Sequence, residues 1–209
     1  MARRTKQRGG LQPDKYLAEA QLRRLRQYVK DMADLARQRG SMRAVIDELV
    51  IELLVNTGLR ASELCDLNIG DLPMTHGKDA VWVRDGKGSV ARTVETPESV
   101  QKRLERFVKL YRPSAGPDEP LLVSAKGSRM IYRSIYEKIR KLGRLSGIGK
   151  LHPHMLRHTY GTRLYNVEQD LRFVQDQLGH ASPTTTAIYA KTNAKARRRQ
   201  IEALEAEQT

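Results

Sequence analysis

Residues 151–189 constrain the fold most, because signals for three short helices follow one another within thirty-nine positions. Pro153 suits the first position of a helix, and Asp170 can cap a second helix that Gly179 ends in a left-handed conformation. The Ser-Pro pair at 182–183 then starts a third helix, which carries Tyr189 on its second turn. The stretch therefore predicts a run of short helices, with the tyrosine on regular structure.

The same stretch concentrates basic and imidazole side chains near that tyrosine. His154 and Arg157 are three positions apart, so on a helix they share a face and point at one ligand; His180 follows the next stop signal. A phenol has a pKa of about 10 and attacks poorly until positive charge stabilises its phenolate. The pattern therefore suggests Tyr189 as a nucleophile, and the alternative is an ordinary packing tyrosine.

Composition favours a polyanionic partner. The 209 residues carry a formal net charge of +14, which favours nucleic acid first and an anionic membrane second. Because no apolar run approaches the roughly 20 residues of a membrane span, we expect a soluble, cytoplasmic protein with no membrane partner. Cys65 is the only cysteine and is predicted to pack in the core; no His, Cys or Asp cluster has metal-ligand spacing, so no metal is expected.

Hydrophobic periodicity predicts a mainly α (α+β) fold with a small antiparallel sheet. Helices are expected over 15–38, 41–58, 98–111 and 130–145, the second apolar enough to be central. Residues 80–84 and 90–94 are expected to pair as strands across a turn, with 72–74 adding a third strand at an edge because of Pro73. Lys87 lies at the tip of that turn, where most lysines are simply solvated.

Two motifs together resemble the tyrosine recombinase (phage integrase) family. One is His-Met-Leu-Arg-His at 154–158, with Leu-Gly-His at 178–180 and Tyr189 nine positions after His180. The other is Thr-Gly-Leu-Arg-Ala-Ser-Glu-Leu at 57–64, whose Arg60 and Glu63 would otherwise be a surface ion pair. The resemblance covers about residues 16–191 and implies the helical catalytic domain of DNA breaking-rejoining enzymes, with a three-stranded antiparallel sheet.

The resemblance implies a site-specific recombinase that joins Tyr189 to a 3′-phosphate and frees a 5′-hydroxyl, without metal, ATP or another cofactor. Arg60 and Arg157 would grip the phosphate, with Glu63 orienting Arg60. Lys87, within Gly-Lys-Gly, would protonate the leaving oxygen. Further expected catalytic residues are His154, at the tyrosine proton or the phosphate, and His180, which holds phosphate and tyrosine. We expect the neighbouring His152 and His158 to be structural.

Further predictions concern DNA contacts and assembly. The partner would be double-stranded DNA, bound at Lys126, Arg129, Tyr132 and Arg133; the alternative for the basic face of this helix is simple solvation. Residues 1–13 are expected to be a flexible basic arm, which either attracts phosphates or solubilises. Residues 14–193 would form the catalytic domain, and 194–209 a terminal helix docking on a neighbouring protomer or packing in cis.

Family members usually carry an N-terminal core-binding domain, and about fifty-six residues precede the Thr-Gly-Leu-Arg box here. The chain would then be either a fragment or a single-domain member like the fimbrial phase-switch invertases. We expect monomers or weak oligomers in free solution and a tetramer on paired DNA sites, for integration, excision or inversion. The rival hypotheses are a noncatalytic DNA-binding regulator on the same fold and a type IB topoisomerase.

Overall fold

The computed structural model describes residues 13–84, 91–179 and 183–190. Within these residues the chain is mainly helical and contains one two-stranded sheet, as the predicted class requires. The helices are α1 (Glu19–Gln38), α2 (Arg43–Thr57), α3 (Ala61–Asp66), α4 (Pro73–His76), α5 (Glu98–Tyr111), α6 (Tyr132–Leu145), α7 (Pro153–Glu168), α8 (Leu171–Leu178) and α9 (Pro183–Ala190). The strands are β1 (Ala80–Val83) and β2 (Arg92–Glu95), and short 3-10 turns span Pro13–Lys15 and Ile69–Asp71.

Helix α2 is the central element, as its apolar sequence predicts. It packs against α1, α3, α5, α6 and α7, and apolar side chains are buried around its whole circumference. Its two buried carboxylates, Glu48 and Glu52, are paired. Glu52 accepts from Arg26 Nε at 2.8 Å, and Glu48 accepts from Arg103 Nη1 at 2.5 Å. Arginines from α1 and α5 therefore neutralise the only acidic groups that the core buries on α2.

Helix α1 covers one side of α2 with an apolar stripe of Leu22, Leu25, Val29, Ala33 and Ala36. It begins at Glu19, four residues later than the sequence predicts, because the preceding residues are held by α7. The main-chain N–H of Leu17 donates to Thr159 Oγ1 at 2.9 Å across the structure. Helix α5 has the predicted bounds, and α6 begins two residues later than predicted.

The predicted third strand at 72–74 is wrong. Leu72 is extended, but Pro73 starts the short helix α4, and Thr75 N–H donates to Leu72 O at 3.0 Å. Proline has no N–H for a sheet ladder, and its fixed φ suits the first turn of a helix. The other two strands pair antiparallel from Ala80 opposite Glu95 to Val83 opposite Arg92. The turn that joins them, with Lys87, lies outside the described residues.

Two hydrophobic clusters are separate in this fold. The larger surrounds α2 and includes Cys65, which is buried as predicted. The smaller consists of Val174, Leu178 and Tyr189, with partly buried neighbours Tyr160, Leu164, Tyr165 and Ile188. It is formed by α7, α8 and α9, the short helices that the stop signals predict. In the described part of the chain, no helix is long and apolar enough to cross a membrane.

Candidate active site

Arg157 ties together two helix ends. It lies on the buried side of α7 and donates from Nη1 to Gly58 O at 2.6 Å and from Nη2 to Leu178 O at 2.5 Å. Gly58 ends α2 in a left-handed conformation, and a Cβ there would lie 2.3 Å from the ring of Tyr160. Burial, and secondarily the charge of Arg60, lowers the pKa of Arg157 to about 10. The guanidinium still remains a cation at neutral pH.

Arg60 and Glu63 form the start of α3. The Arg60 N–H donates to Glu63 Oε2 at 2.7 Å, and its Nη1 donates to Oε1 at 2.6 Å. A third donor, Nη2, reaches Gly179 O at 3.2 Å. The Glu63 side chain is 8% exposed and that of Arg60 is 34% exposed. The pair is therefore partly buried within the fold, in contrast to the surface ion pair considered from the sequence.

Arg92, on β2, also binds Glu63, and the sequence analysis did not identify it. Its Nη1 and Nη2 donate to the two carboxylate oxygens at 3.0 and 3.1 Å. Burial raises the pKa of Glu63, but the hydrogen bonds and charges of Arg92 and Arg60 outweigh burial and hold it below its usual value. Glu63 is therefore an anion shared by two guanidinium groups. The only indication in the sequence was that Arg92 is a basic residue on the strand that follows the predicted turn.

The carboxyl end of α8 is the meeting point of three arginines. Gln177 O accepts from Arg92 Nε at 3.4 Å, Leu178 O accepts from Arg157, and Gly179 O accepts from Arg60.

The last carbonyl groups of a helix have no partner within the helix and form the negative end of its dipole, so cations are favoured there. Gly179 permits the close approach, since its φ is 62° and a Cβ would lie 2.7 Å from Arg92 Cζ. Three positive side chains, from α3, α7 and β2, are thereby gathered beside the residue that precedes His180.

Tyr189 is completely buried on α9 and contacts α7. Its hydroxyl lies 3.1 Å from His158 Nδ1. Gly161, one turn further along α7, leaves room for the ring, because a Cβ there would lie 2.6 Å from Tyr189 Cζ. Burial raises the pKa of Tyr189 to about 12, and the charge of Arg157 acts in the opposite direction. The phenol is therefore protonated at neutral pH in this arrangement.

Two histidines on α7 have different surroundings. His154 is exposed and faces His152, with ring centroids 6.5 Å apart, whereas Arg157 on the same helix is buried. His158, expected to be structural, is the one that reaches the tyrosine hydroxyl. Burial, then the charges of His154 and Arg157, lowers the pKa of His158 to about 4. In the sequence, Gly161 lies in the middle of a predicted helix, three residues after His158. A glycine at such a place indicates that another side chain packs closely against the helix. Lys87 and His180 lie outside the described residues.

The four predicted DNA contacts divide into two groups. Lys126, Tyr132 and Arg133 are exposed. Arg129 is partly buried, and its Nη1 and Nη2 donate to Cys65 O at 2.9 Å and Asn68 Oδ1 at 2.5 Å. These bonds give Arg129 an internal role beside the end of α3. Within the described ranges, no three His, Cys, Asp or Glu side chains are grouped so that they could hold a metal ion.

The phage integrase family model matches residues 15–196, which is most of the chain. This chain belongs to that family. Tyrosine recombinase XerC of Pseudomonas fluorescens is 39% identical to this family member over 143 residues, which are 68% of the chain and 47% of the relative. The chain spans about half the length of the curated relatives it matches.

Solved recombinases share the fold of this integrase family member. XerA recombinase superposes with a TM-score of 0.72 at 33% identity, over 90% of this chain and 64% of the other. XerH site-specific recombinase, in a pre-cleavage complex with its difH substrate, gives a TM-score of 0.66 at 27% identity, over 84% of this chain and 50% of the other. The predicted family and the mainly helical class are thus confirmed, with two strands in the described residues where three were expected.

Proposed function

We propose that this chain carries the strand cleavage and rejoining activity of a site-specific DNA recombinase, with Tyr189 as nucleophile. One observation carries the proposal: Arg157 bridges α2 and α8 at their carboxyl ends, with Arg60 bound to the next carbonyl of α8 and the charge of Arg157 acting on Tyr189. The XerC, XerA and XerH proteins to which the chain is similar are recombinases by name.

Arg60 is proposed as the more mobile of the two phosphate ligands. Its side chain is 34% exposed, and its bond to Gly179 O is its longest at 3.2 Å, so an entering phosphate oxygen can replace that carbonyl. Glu63 and Arg92 keep the rest of the guanidinium in place. Planar guanidinium groups donate two parallel bonds to nonbridging oxygens and stabilise the extra negative charge of a pentacoordinate phosphorus.

The proposed reaction is a balanced exchange of phosphodiester bonds. Tyr189 passes its phenolic proton to a neighbouring histidine as Oη forms a bond to phosphorus, and His154 is the histidine that the family resemblance implies. The bond from phosphorus to the 5′-oxygen breaks, and that oxygen takes a proton from Lys87. His180 would hold the phosphate. The reverse attack by a 5′-hydroxyl reseals the strand, so the energy of the phosphodiester is kept and no ATP is consumed. Positive side chains supply the charge stabilisation that metal ions supply in other phosphoryl transferases.

Covalent trapping tests this proposal. The protein is incubated with nicked duplexes of random sequence, and DNA that stays attached in denaturant is recovered and sequenced. Wild type should enrich one sequence as a covalent adduct, and EDTA should not prevent it. Tyr189→Phe should give none while retaining binding to the enriched duplex. Tyr165→Phe, on α7 beside the smaller cluster, is the matched control and should behave as wild type.

Absence of an adduct, or an adduct that survives Tyr189→Phe, would contradict the assignment. Relaxation of supercoiled plasmid without strand exchange between two copies of the enriched sequence would instead support a type IB topoisomerase. Recombination on paired sites would further imply cooperation between protomers, for which we propose a tetramer on double-stranded DNA in the cytoplasm. Lys126, Tyr132 and Arg133 remain the proposed contacts to that DNA.

A further inference from the structure

We infer that His158 is a catalytic residue whose Nδ1 accepts the proton of Tyr189 when the tyrosine oxygen attacks phosphorus. This inference rests on the proposed function and assigns the proton acceptor within it. The resemblance to the family gave proton transfer at the tyrosine to His154, and His158 was expected to be structural. The geometry assigns the contact to the other histidine.

The contact has the geometry that proton transfer requires. The Tyr189 hydroxyl and His158 Nδ1 are 3.1 Å apart, within reach for a general base. The two ring centroids lie 6.0 Å apart at an interplanar angle of 57°, so the rings are tilted relative to each other and do not stack. Gly161 permits the close approach of the phenol, since a Cβ there would lie only 2.6 Å from Tyr189 Cζ and 2.9 Å from its Oη.

The surroundings keep His158 neutral in the resting protein, so the negative charge of an arriving phosphate is needed to make it a stronger base. The groups that act on it are His154, Arg157 and His152 on or beside α7, and Lys15 from the 3-10 turn that packs on α7. All four are basic, and together with burial they disfavour a second proton on the ring. A neutral imidazole has one unprotonated nitrogen, and when this is Nδ1 it can accept from the phenol. His154, by contrast, is exposed to solvent.

The step balances without any further reactant. The O–H bond of Tyr189 breaks as Oη bonds to phosphorus, and the proton moves to His158 Nδ1 to give an imidazolium. The bond from phosphorus to the 5′-oxygen breaks, and that oxygen is protonated by the acid of the proposed function. An arriving phosphodiester brings negative charge that favours the imidazolium, and bond formation to phosphorus makes the phenol more acidic. In rejoining, His158 returns the proton to the departing tyrosine oxygen.

Two replacements separate proton transfer from placement of the ring. In His158→Asn the side-chain amide lies near the position of Nδ1 and can bond the phenol, but it is not a base at neutral pH. In His158→Phe the aromatic shape remains and every polar atom is lost. The matched control is His152→Asn, which removes a partly buried histidine at the start of α7. Each protein is mixed in excess with the nicked duplex recovered by covalent selection, and adduct formation is followed in a single turnover.

Both His158 variants should form the adduct about 10²- to 10⁴-fold more slowly than wild type, which is the range for loss of a general base. Binding of the duplex should be unchanged, and His152→Asn should match wild type. The residual rate in His158→Asn should rise with pH, because hydroxide then replaces the lost base. A wild-type rate in His158→Asn would overturn the inference, leaving the ring as a support for the tyrosine at most.

A measurement on the protein alone tests the same point if a variant folds poorly. Nitrogen NMR of wild type at neutral pH should show His158 uncharged, with Nδ1 unprotonated and Nε2 protonated. A proton on Nδ1 would make the ring the donor to the phenol and would contradict its role as acceptor. The two proposals fail differently: no adduct from wild type contradicts the proposed function, whereas an adduct undiminished in His158→Asn contradicts only the role of His158.

Discussion

The cluster around α2 and the cluster under Tyr189 stabilise this molecule in different ways. The first interlocks aliphatic side chains from six helices and the sheet, with Leu53, Leu54 and Val55 completely buried. Among the described residues the second has three buried apolar members, and Tyr189 also makes a polar contact to His158 on α7. Regions with few buried apolar contacts open at lower free energy than the global core. The proposed phosphate ligands are thus anchored to a rigid body, and the proposed nucleophile belongs to a region that is easier to open.

This contrast has a mechanistic reason. Tyr189 is completely buried, so its hydroxyl must become accessible before it can meet a phosphate. Under the proposed function Arg157 must not move in the same event, because it would align the phosphate for attack. A small separate cluster lets α8 and α9 loosen around the tyrosine without disturbing α2. The proposed proton transfer requires that the Tyr189 hydroxyl keep or regain its contact with His158 as it attacks.

Leu54→Ala should lower the free energy of unfolding by about 3 to 5 kcal/mol, because a fully buried leucine leaves a cavity that the aliphatic core cannot fill. Urea titration followed by circular dichroism measures it. Leu35→Ala, on α1 and 43% exposed, is the control and should change stability by less than about 1 kcal/mol. Equal losses in the two variants would mean that α2 is not the centre of the stable core.

Glu63→Gln should lower the free energy of unfolding by about 2 to 3 kcal/mol, since it leaves Arg60 and Arg92 without their shared anion next to Arg157. Adding Arg92→Gln should cost less than the sum of the single changes, because one unpaired cation is removed. Glu137→Gln, whose ion pairs span 3.9 Å on the surface, is the control and should have little effect. Strict additivity of the two changes would contradict the shared carboxylate.

Leu178→Ala should destabilise the smaller cluster and leave the larger cluster nearly unchanged. Native-state hydrogen exchange should show α8 and α9 opening at a free energy lower by about 2 kcal/mol or more, the cost of a buried leucine. The exchange of α2 amides should change far less. If the protection of α2 falls by the same amount, the two clusters unfold as one unit and the division is wrong.

Gly161→Ala should change the free energy of unfolding by no more than about 1 kcal/mol. The higher helix propensity of alanine, worth about 1 kcal/mol, offsets part of the cost of the added Cβ. It should nevertheless displace Tyr189, because the new Cβ would lie 2.6 Å from Cζ of the ring. We expect faster exchange in α9 and loss of the covalent adduct. Gly116→Ala is the control, since nothing lies within 4 Å of a Cβ there. An active Gly161→Ala protein would show that the resting position of the tyrosine is irrelevant to attack.

The last prediction concerns the pH dependence of stability. The pKa of His158 is about 4 in the folded protein and is ordinarily 6.5, so the unfolded chain binds a proton first as pH falls. The stability that the folded protein has with a neutral His158 is fully present above about pH 6.5 and is lost as pH falls toward 4. Thermal midpoints should therefore decline less steeply over that range in His158→Asn than in wild type. Parallel curves would mean that His158 is not held neutral by the fold.

The sequence predicted the helices better than the contacts between them. Stop signals such as Gly58 and Gly179 act locally, and both residues adopt the left-handed conformation that ends their helices. Pro73 was ambiguous, because its missing N–H suits both an edge strand and a helix start. The pairing of Arg92 with Glu63 joins residues twenty-nine positions apart, and that of His158 with Tyr189 spans thirty-one. No periodicity reports such distances, so both contacts required the structure.

The carbonyl groups at the end of α8 have a thermodynamic consequence for ligand binding. They give Arg60, Arg157 and Arg92 partially charged acceptors inside the fold, so these cations are already stripped of much of their water. An oxygen of an incoming anion then replaces a carbonyl group as the partner of the guanidinium. Binding therefore avoids most of the free-energy cost of removing water from a fully hydrated cation. Only a ligand whose oxygens accept more strongly than an amide carbonyl gains from that exchange. We therefore expect phosphate oxygens to displace the carbonyl groups at the end of α8 more readily than a weakly accepting anion such as chloride.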